Sequence, residues 1–183
     1  MDHDYDIEHE GVSLRPLRRT DIEQLRIWRN DATNSRYIRK IPEITSDAQQ
    51  KWFEDYLLDE TTYTFAIEYA GELVGSVALY DIDGKTAEFG RLMVGAAKGR
   101  GVGGKATAAV LKIAFDVLGC DEVRAEVSVD NTAALIIYVR LGFCIVGRRF
   151  NSDANMDEFL LCISEPRFSA LENVNLLRKG EAK

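Results

Sequence analysis

The chain reads as an α/β protein of the α+β kind: one domain, with a mixed, mostly antiparallel sheet flanked by helices. Three observations predict it. The 183 residues hold no Pro/Ser/Gly-rich linker, internal repeat or low-complexity stretch, so one domain is expected. The apolar spacing switches from a helical period to strict alternation and back again. Several strands also come before the first strand-to-helix crossover, which rules out a regular alternation of strand and helix.

Residues 1–10 are acidic, hold both histidines, His3 and His9, and read as a disordered leader. The folded domain is expected over residues 11–165. Val12–Leu17 alternates and reads as a strand. Thr20-Asp21-Ile22-Glu23 is a capping box opening a helix with Ile22, Leu25 and Trp28 on one face. Pro42 interrupts, and a second helix starts at Thr45 or Ser46, carrying Trp52, Phe53, Tyr56 and Leu57. Tyr63–Tyr69 and Leu73–Tyr80 form a hairpin about Ala70-Gly71-Glu72, and Ala87–Val94 follows the turn at Asp83-Gly84.

Gly101–Leu118 is the strongest helix. Val102, Ala106, Val110, Ile113 and Val117 make its apolar stripe, and Gly119 takes the C′ position. A strand over Glu122–Val129, a helix over Thr132–Arg140 stopped by Gly142, and strands over Phe143–Arg149 and Met156–Ile163 complete the domain. Residues 166–183 are a tail whose poor pattern allows a loose helix.

Composition excludes several functions. A net charge of −7, from 23 basic and 30 acidic residues, argues against nucleic acid and fits a cationic substrate. With the leader frayed, the folded domain has no histidine. That removes imidazole catalysis and every His-dependent metal site, so no metal is expected. Cys120, Cys144 and Cys162 lack C-x-x-C spacing and read as free thiols in a reducing compartment. No apolar run approaches the ~20 residues of a membrane span. A cytoplasmic protein without membrane partners is expected, and a homodimer is left open.

The chemistry gathers at Lys98-Gly99-Arg100-Gly101-Val102-Gly103-Gly104-Lys105, between a strand and the strongest helix. Glycines let backbone amides approach an anion, and the helix N-terminus adds unpaired N–H groups and roughly half a positive charge. A phosphate or pyrophosphate site follows. Gly99, Gly101 and Gly104 satisfy G-x-G-x-x-G, but after three strands instead of one. Gly99–Lys105 satisfies most of the P-loop pattern, except that Ala106 stands where a magnesium-binding hydroxyl belongs.

A third pattern gives the longest match. Lys98-x-x-Gly101-x-Gly103 resembles the [QR]-x-x-G-x-[GA] pyrophosphate loop of the GNAT superfamily of N-acetyltransferases, with Lys98 where Gln or Arg is usual. After a further strand, Asn131-x-x-Ala134-x-x-x-Tyr138-x-x-x-Gly142-Phe143 resembles that family's second signature at the expected spacing. Ala87–Val94 resembles its acetyl-CoA strand. The resemblance runs from Val12 to about Ile163.

The resemblance implies acetyl transfer from acetyl-CoA, as co-substrate, to a small-molecule primary amine in a ternary complex. It puts the cofactor on Leu92, Met93, Val94, Lys98, Gly99, Arg100, Gly101, Val102, Gly103, Gly104, Asn131 and Ala134, with Met93 N–H as oxyanion donor. Tyr138 matches the family's acid for the departing thiolate, although its helical spacing with Ala134 also suits core packing. Asn131 serves equally as a helix N-cap. Glu88 is the candidate base; the alternation Glu88, Gly90, Leu92 sets it on one face with the cofactor-binding end, although a solvated sheet-edge carboxylate fits equally well. Trp28, Arg29, Asn30 and Tyr37 are the substrate candidates, and the Trp-Arg-Asn string is similar to one in acetyltransferases of nucleotide-linked amino sugars. An amino sugar is therefore the expected acceptor. A polyamine, an aminoglycoside, a protein N-terminus, a non-catalytic acyl-CoA-binding module and an ATP- or NAD-dependent enzyme stay open.

Overall fold

The sheet begins inside the segment expected to be a disordered leader. In the computed structural model, which describes residues 3–37 and 42–171, β1 (Ile7–His9) pairs antiparallel with β2 (Val12–Pro16), Ile7 opposite Leu14. The acidic composition hides a period of two. His3, Tyr5, Ile7 and His9 are half-buried, whereas Asp4, Asp6, Glu8 and Glu10 face water. Glu10 and Gly11 both take positive φ, 52° and 78°, in a two-residue turn whose twist suits the strands it joins. The expectation of a folded domain without histidine is corrected with it. The His3 ring lies 5.2 Å from Tyr63 and 4.8 Å from Phe65.

The remaining elements fall close to their expected places: α1 (Ile22–Asn30), α2 (Ser46–Leu58), β3 (Tyr63–Tyr69), β4 (Glu72–Tyr80), β5 (Thr86–Val94), α3 (Val102–Lys112), β6 (Glu122–Ser128), α4 (Thr132–Arg140), β7 (Cys144–Asn151) and β8 (Met156–Ser164). The eight strands form one sheet in the order β1-β2-β3-β4-β5-β6-β8-β7. Among the described residues only β5 and β6 pair in parallel, so the sheet is mixed and mostly antiparallel. The last turns of the long helix widen to π geometry over Ile113–Val117 before Gly119 ends it at φ 69°. Residues 165–171 are helical, and Phe168 is buried against Phe115, so the packed unit extends past the expected boundary at 165. The rest of the expected tail lies outside the described residues.

Two apolar layers sandwich the sheet. The α3 and α4 side holds Leu14, Phe65, Leu79, Phe89, Val110 and Leu161; the α1 and α2 side is smaller, built on Leu17, Ile22, Leu25, Phe53, Tyr56 and Ala66. The capping box expected at α1 is built differently. Asp21 turns its carboxylate to Arg15, at 2.7 and 3.0 Å, and to the N–H of Arg18, while Glu23 pairs with Arg26. Arg15 also donates to Glu68 at 2.6 Å. The Asp21 hydrogen bond, above all, raises the guanidinium pKa, so this nearly buried cation stays charged. Asp21→Ala is expected to cost about 3 kcal/mol in a urea melt, because it strips a partner from a buried ion.

Candidate active site

The cavity exists because two strands part. β5 and β6 pair only from Thr86 opposite Glu122 to Phe89 opposite Ala125. Beyond Phe89, the β5 backbone from Gly90 to Val94 has no partner on its β6 side among the described residues. A bulge drives the parting. Between Ser76 and Ala78 on β4, the register against β5 slips from Met93 to Gly90. Arg91 absorbs the extra residue at φ 53°. Gly75 is needed here, since a Cβ on it would lie 2.0 Å from the Met93 carbonyl oxygen.

The bulge also corrects the face assigned to Glu88. Leu92 and Val94 pack with Phe89 in the α3/α4 layer, whereas Met93 joins the opposite layer. Strict alternation from Glu88 to Leu92 is broken, and Glu88 does not line the cavity. It sits opposite Tyr80 and Arg124, half-buried, its carboxyl raised by burial and then by Glu126.

The cavity has a volume of about 800 Å³ and runs through the parted sheet from Trp52 and Tyr37 on the helical side to Asn131 and Tyr138 behind it. Tyr138 packs in the core and also borders the cavity. Its ring packs 5.4 Å from Phe89 and 5.7 Å from Phe143. It also lines the cavity, and burial first, then Tyr80, raises the phenol pKa so that the proton stays on oxygen. Asn131 likewise does two things. Its Oδ1 accepts from the Ala134 N–H at 3.2 Å, capping α4, and the side chain borders the cavity. Ala134 packs in the first turn of α4 against the larger core.

The glycine loop follows β5 and leads into α3, its Gly103 facing the Leu92 and Val94 side chains. Gly99 and Gly101 take φ of 79° and 75°, and nothing lies within 4 Å of where their Cβ atoms would be. Gly101 caps α3, and the first four N–H groups of a helix find no partner within it. The chain thus presents the N–H groups of a helix N-terminus close to an open strand edge. Val102 buries its side chain, leaving only its backbone toward the loop. Lys98 gives one of its three donors to Asn34 Oδ1, at 2.6 Å. Lys105 instead donates to the Glu10 carbonyl, and buried Thr107 gives its hydroxyl to the Gly103 carbonyl. Neither is placed as a P-loop lysine or magnesium ligand is.

The substrate candidates divide. Arg29 and Tyr37 line the cavity. Asn30 is a brace: its Nδ2 donates to the Ile44 carbonyl, and its Oδ1 accepts from the Ile44 N–H. Trp28 is a packing surface, lying so flat on Gly95 that a Cβ there would come within 2.0 Å of the indole. Other residues were missed in the sequence. Glu126 from β6 and Glu158 from β8 line the cavity, together with Asn151, Tyr80 and Trp52. Asn151 Nδ2 donates to Glu158 at 3.1 Å, and Arg149 pairs with both carboxylates. Burial raises the Glu126 carboxyl, with Arg149 opposing. Their one sequence signal is alternation on β6, where Glu122, Arg124, Glu126 and Ser128 share a face. Among the described residues, no His/Cys/Asp/Glu group could hold a metal ion, and no helix is long and apolar enough to cross a membrane.

Comparison with known proteins gives a consistent result. Residues 12–144 match the family model described as "Acetyltransferase (GNAT) domain". The chain is 28% identical over 139 residues to the spermidine N(1)-acetyltransferase of Escherichia coli K12, covering 75% of each chain. It is 25% identical over 155 residues to the acetyltransferase PseH of Campylobacter jejuni, covering 85% of this chain and 93% of that one. In fold it is similar to a spermidine N-acetyltransferase from Vibrio cholerae, solved with CoA and spermine. The TM-score is 0.78 at 23% identity, over 86% of this chain and 98% of the other.

Proposed function

The chain belongs to the GNAT acetyltransferase family, and from that premise we propose that its acceptor is a polyamine, taken into the cavity between Trp52 and Glu126. Membership makes the protein an acetyl-CoA-dependent N-acetyltransferase acting on an amine. The acceptor and the residue roles are our reading. The observation that carries it is a single cavity joining an open strand edge to two carboxylates and several aromatic rings. A flexible polycation suits a wall of carboxylates and ring faces, because it can set several ammonium groups against them where an amino sugar brings one. The names of the relatives support the polyamine over the amino sugar that the Trp28-Arg29-Asn30 string had favoured.

Acetyl-CoA, when bound, supplies a thioester carbonyl and a thiolate leaving group. The residues of the chain do the rest. Backbone N–H groups from Gly101 to Gly104, with Lys98 and Arg100 beside them, bind the pyrophosphate. The free edge of Leu92, Met93 and Val94 pairs with the peptide-like arm, and one of its N–H groups donates to the acetyl oxygen as charge develops there. Tyr138 gives its proton to the departing sulfur. Glu126, lining the cavity with a raised carboxyl, takes the ammonium proton directly or through water. It displaces Glu88, which stands outside the cavity wall, in that role.

Thiol release measured across a panel of amines tests the acceptor. Spermidine and spermine are expected to give kcat/KM values at least about tenfold above those of glucosamine-type sugars, the worth of one well-placed charge contact. An amino sugar turned over faster than both polyamines would overturn the reading. The same assay tests the base. The raised Glu126 carboxyl must be ionised to accept a proton, so kcat/KM for the amine rises as pH climbs through a value above the ordinary carboxylate range. Glu126→Gln is expected to lower kcat by about 100-fold and remove that limb; an unchanged limb would return the role to Glu88.

A further inference from the structure

We propose that Cys144 and Cys162 are a redox-responsive dithiol, which closes to a cross-strand disulfide by exchange with a small-molecule disulfide such as glutathione disulfide. The two residues are register partners in the β7–β8 ladder, and both are free thiols. Directly opposite residues of an antiparallel pair have Cα atoms about 4.5–5.5 Å apart and point to the same face. That separation lies inside the range a disulfide spans. Both residues are half-buried, so a small reagent can reach them, whereas Cys120 is buried after the long helix with no cysteine opposite.

The order of attack follows from the surroundings. β7 is the outer strand of the sheet, so Cys144 is approached first. Burial raises the Cys162 thiol, with Glu122 and Cys144 adding to the effect against Arg124 and Arg167, which suits a second, resolving sulfur. The Cys144 thiolate attacks one sulfur of glutathione disulfide, forming a mixed disulfide and expelling one glutathione thiolate. Cys162 gives its proton to solvent and attacks the Cys144 sulfur, forming the Cys144–Cys162 bond and expelling the second. Two protein thiols are oxidised and one glutathione disulfide is reduced to two thiols. The bond staples the outer strand, whose far end brings Arg149 and Asn151 onto Glu126 and Glu158.

The test uses the full, folded chain and does not depend on acetyl transfer. The protein is incubated with glutathione disulfide, denatured in N-ethylmaleimide, and mapped by mass spectrometry. The expected result is a peptide linking Cys144 to Cys162, loss of two alkylatable thiols, and a fully alkylated Cys120. Cys162→Ser is expected to leave one glutathione on Cys144, and Cys120→Ser to leave the cross-link intact. Full alkylation of Cys144 and Cys162 after treatment would overturn the proposal. So would a lasting glutathione adduct on the wild-type chain, or a disulfide between chains.

Discussion

Gly101→Glu is expected to raise the KM for acetyl-CoA by about 100-fold or more, because a like charge beside the pyrophosphate costs several kcal/mol. The position isolates the effect. Gly101 caps α3 at φ 75°, with nothing within 4 Å of an added Cβ, so a side chain leaves the backbone there without a clash. What a larger residue costs the fold is the left-handed backbone alone, about 1–2 kcal/mol. Gly101→Ala carries that strain without the charge, and its KM should stay within about fivefold of wild type, since strain shared by free and bound states cancels in binding. Calorimetric binding of CoA to the three proteins separates the effects. Unchanged affinity in the glutamate variant would move the pyrophosphate away from the loop.

Tyr138→Phe is expected to lower kcat by about 100-fold while leaving the acetyl-CoA KM and the melting temperature nearly unchanged. The ring, not the hydroxyl, packs against Phe89 and Phe143, and phenylalanine keeps it. Burial raises the phenol pKa, so the wild-type acid stays protonated and loses its proton only above the ordinary tyrosine range. Turnover governed by that acid therefore persists into alkaline solution and falls as pH rises through the raised value. A variant with wild-type kcat would reduce Tyr138 to a packing residue.

Those two positions were legible because their chemistry is contiguous. The glycine loop and the Asn131-to-Phe143 segment each hold their spacing within one turn or one helix, where sequence distance and spatial distance nearly coincide. The far wall of the cavity was not legible. Glu126, Asn151 and Glu158 come from three strands, and only the pairing of β6, β8 and β7 brings them together. Glu88 misled for a related reason: alternation holds along a regular strand, and one extra residue at Arg91 reverses the faces beyond it. The leader misled through composition, since its acidic residues are the outward half of an alternating strand.

By itself the sequence determined the fold class, most of the element order, the place of the glycine loop and the family, because hydrophobic period, turn residues and local motifs act over short stretches of chain. The tertiary structure decided the first strand, the parting of β5 from β6, the membership of the cavity wall and the facing of Cys144 with Cys162. Each of these depends on register between strands, which no single segment encodes.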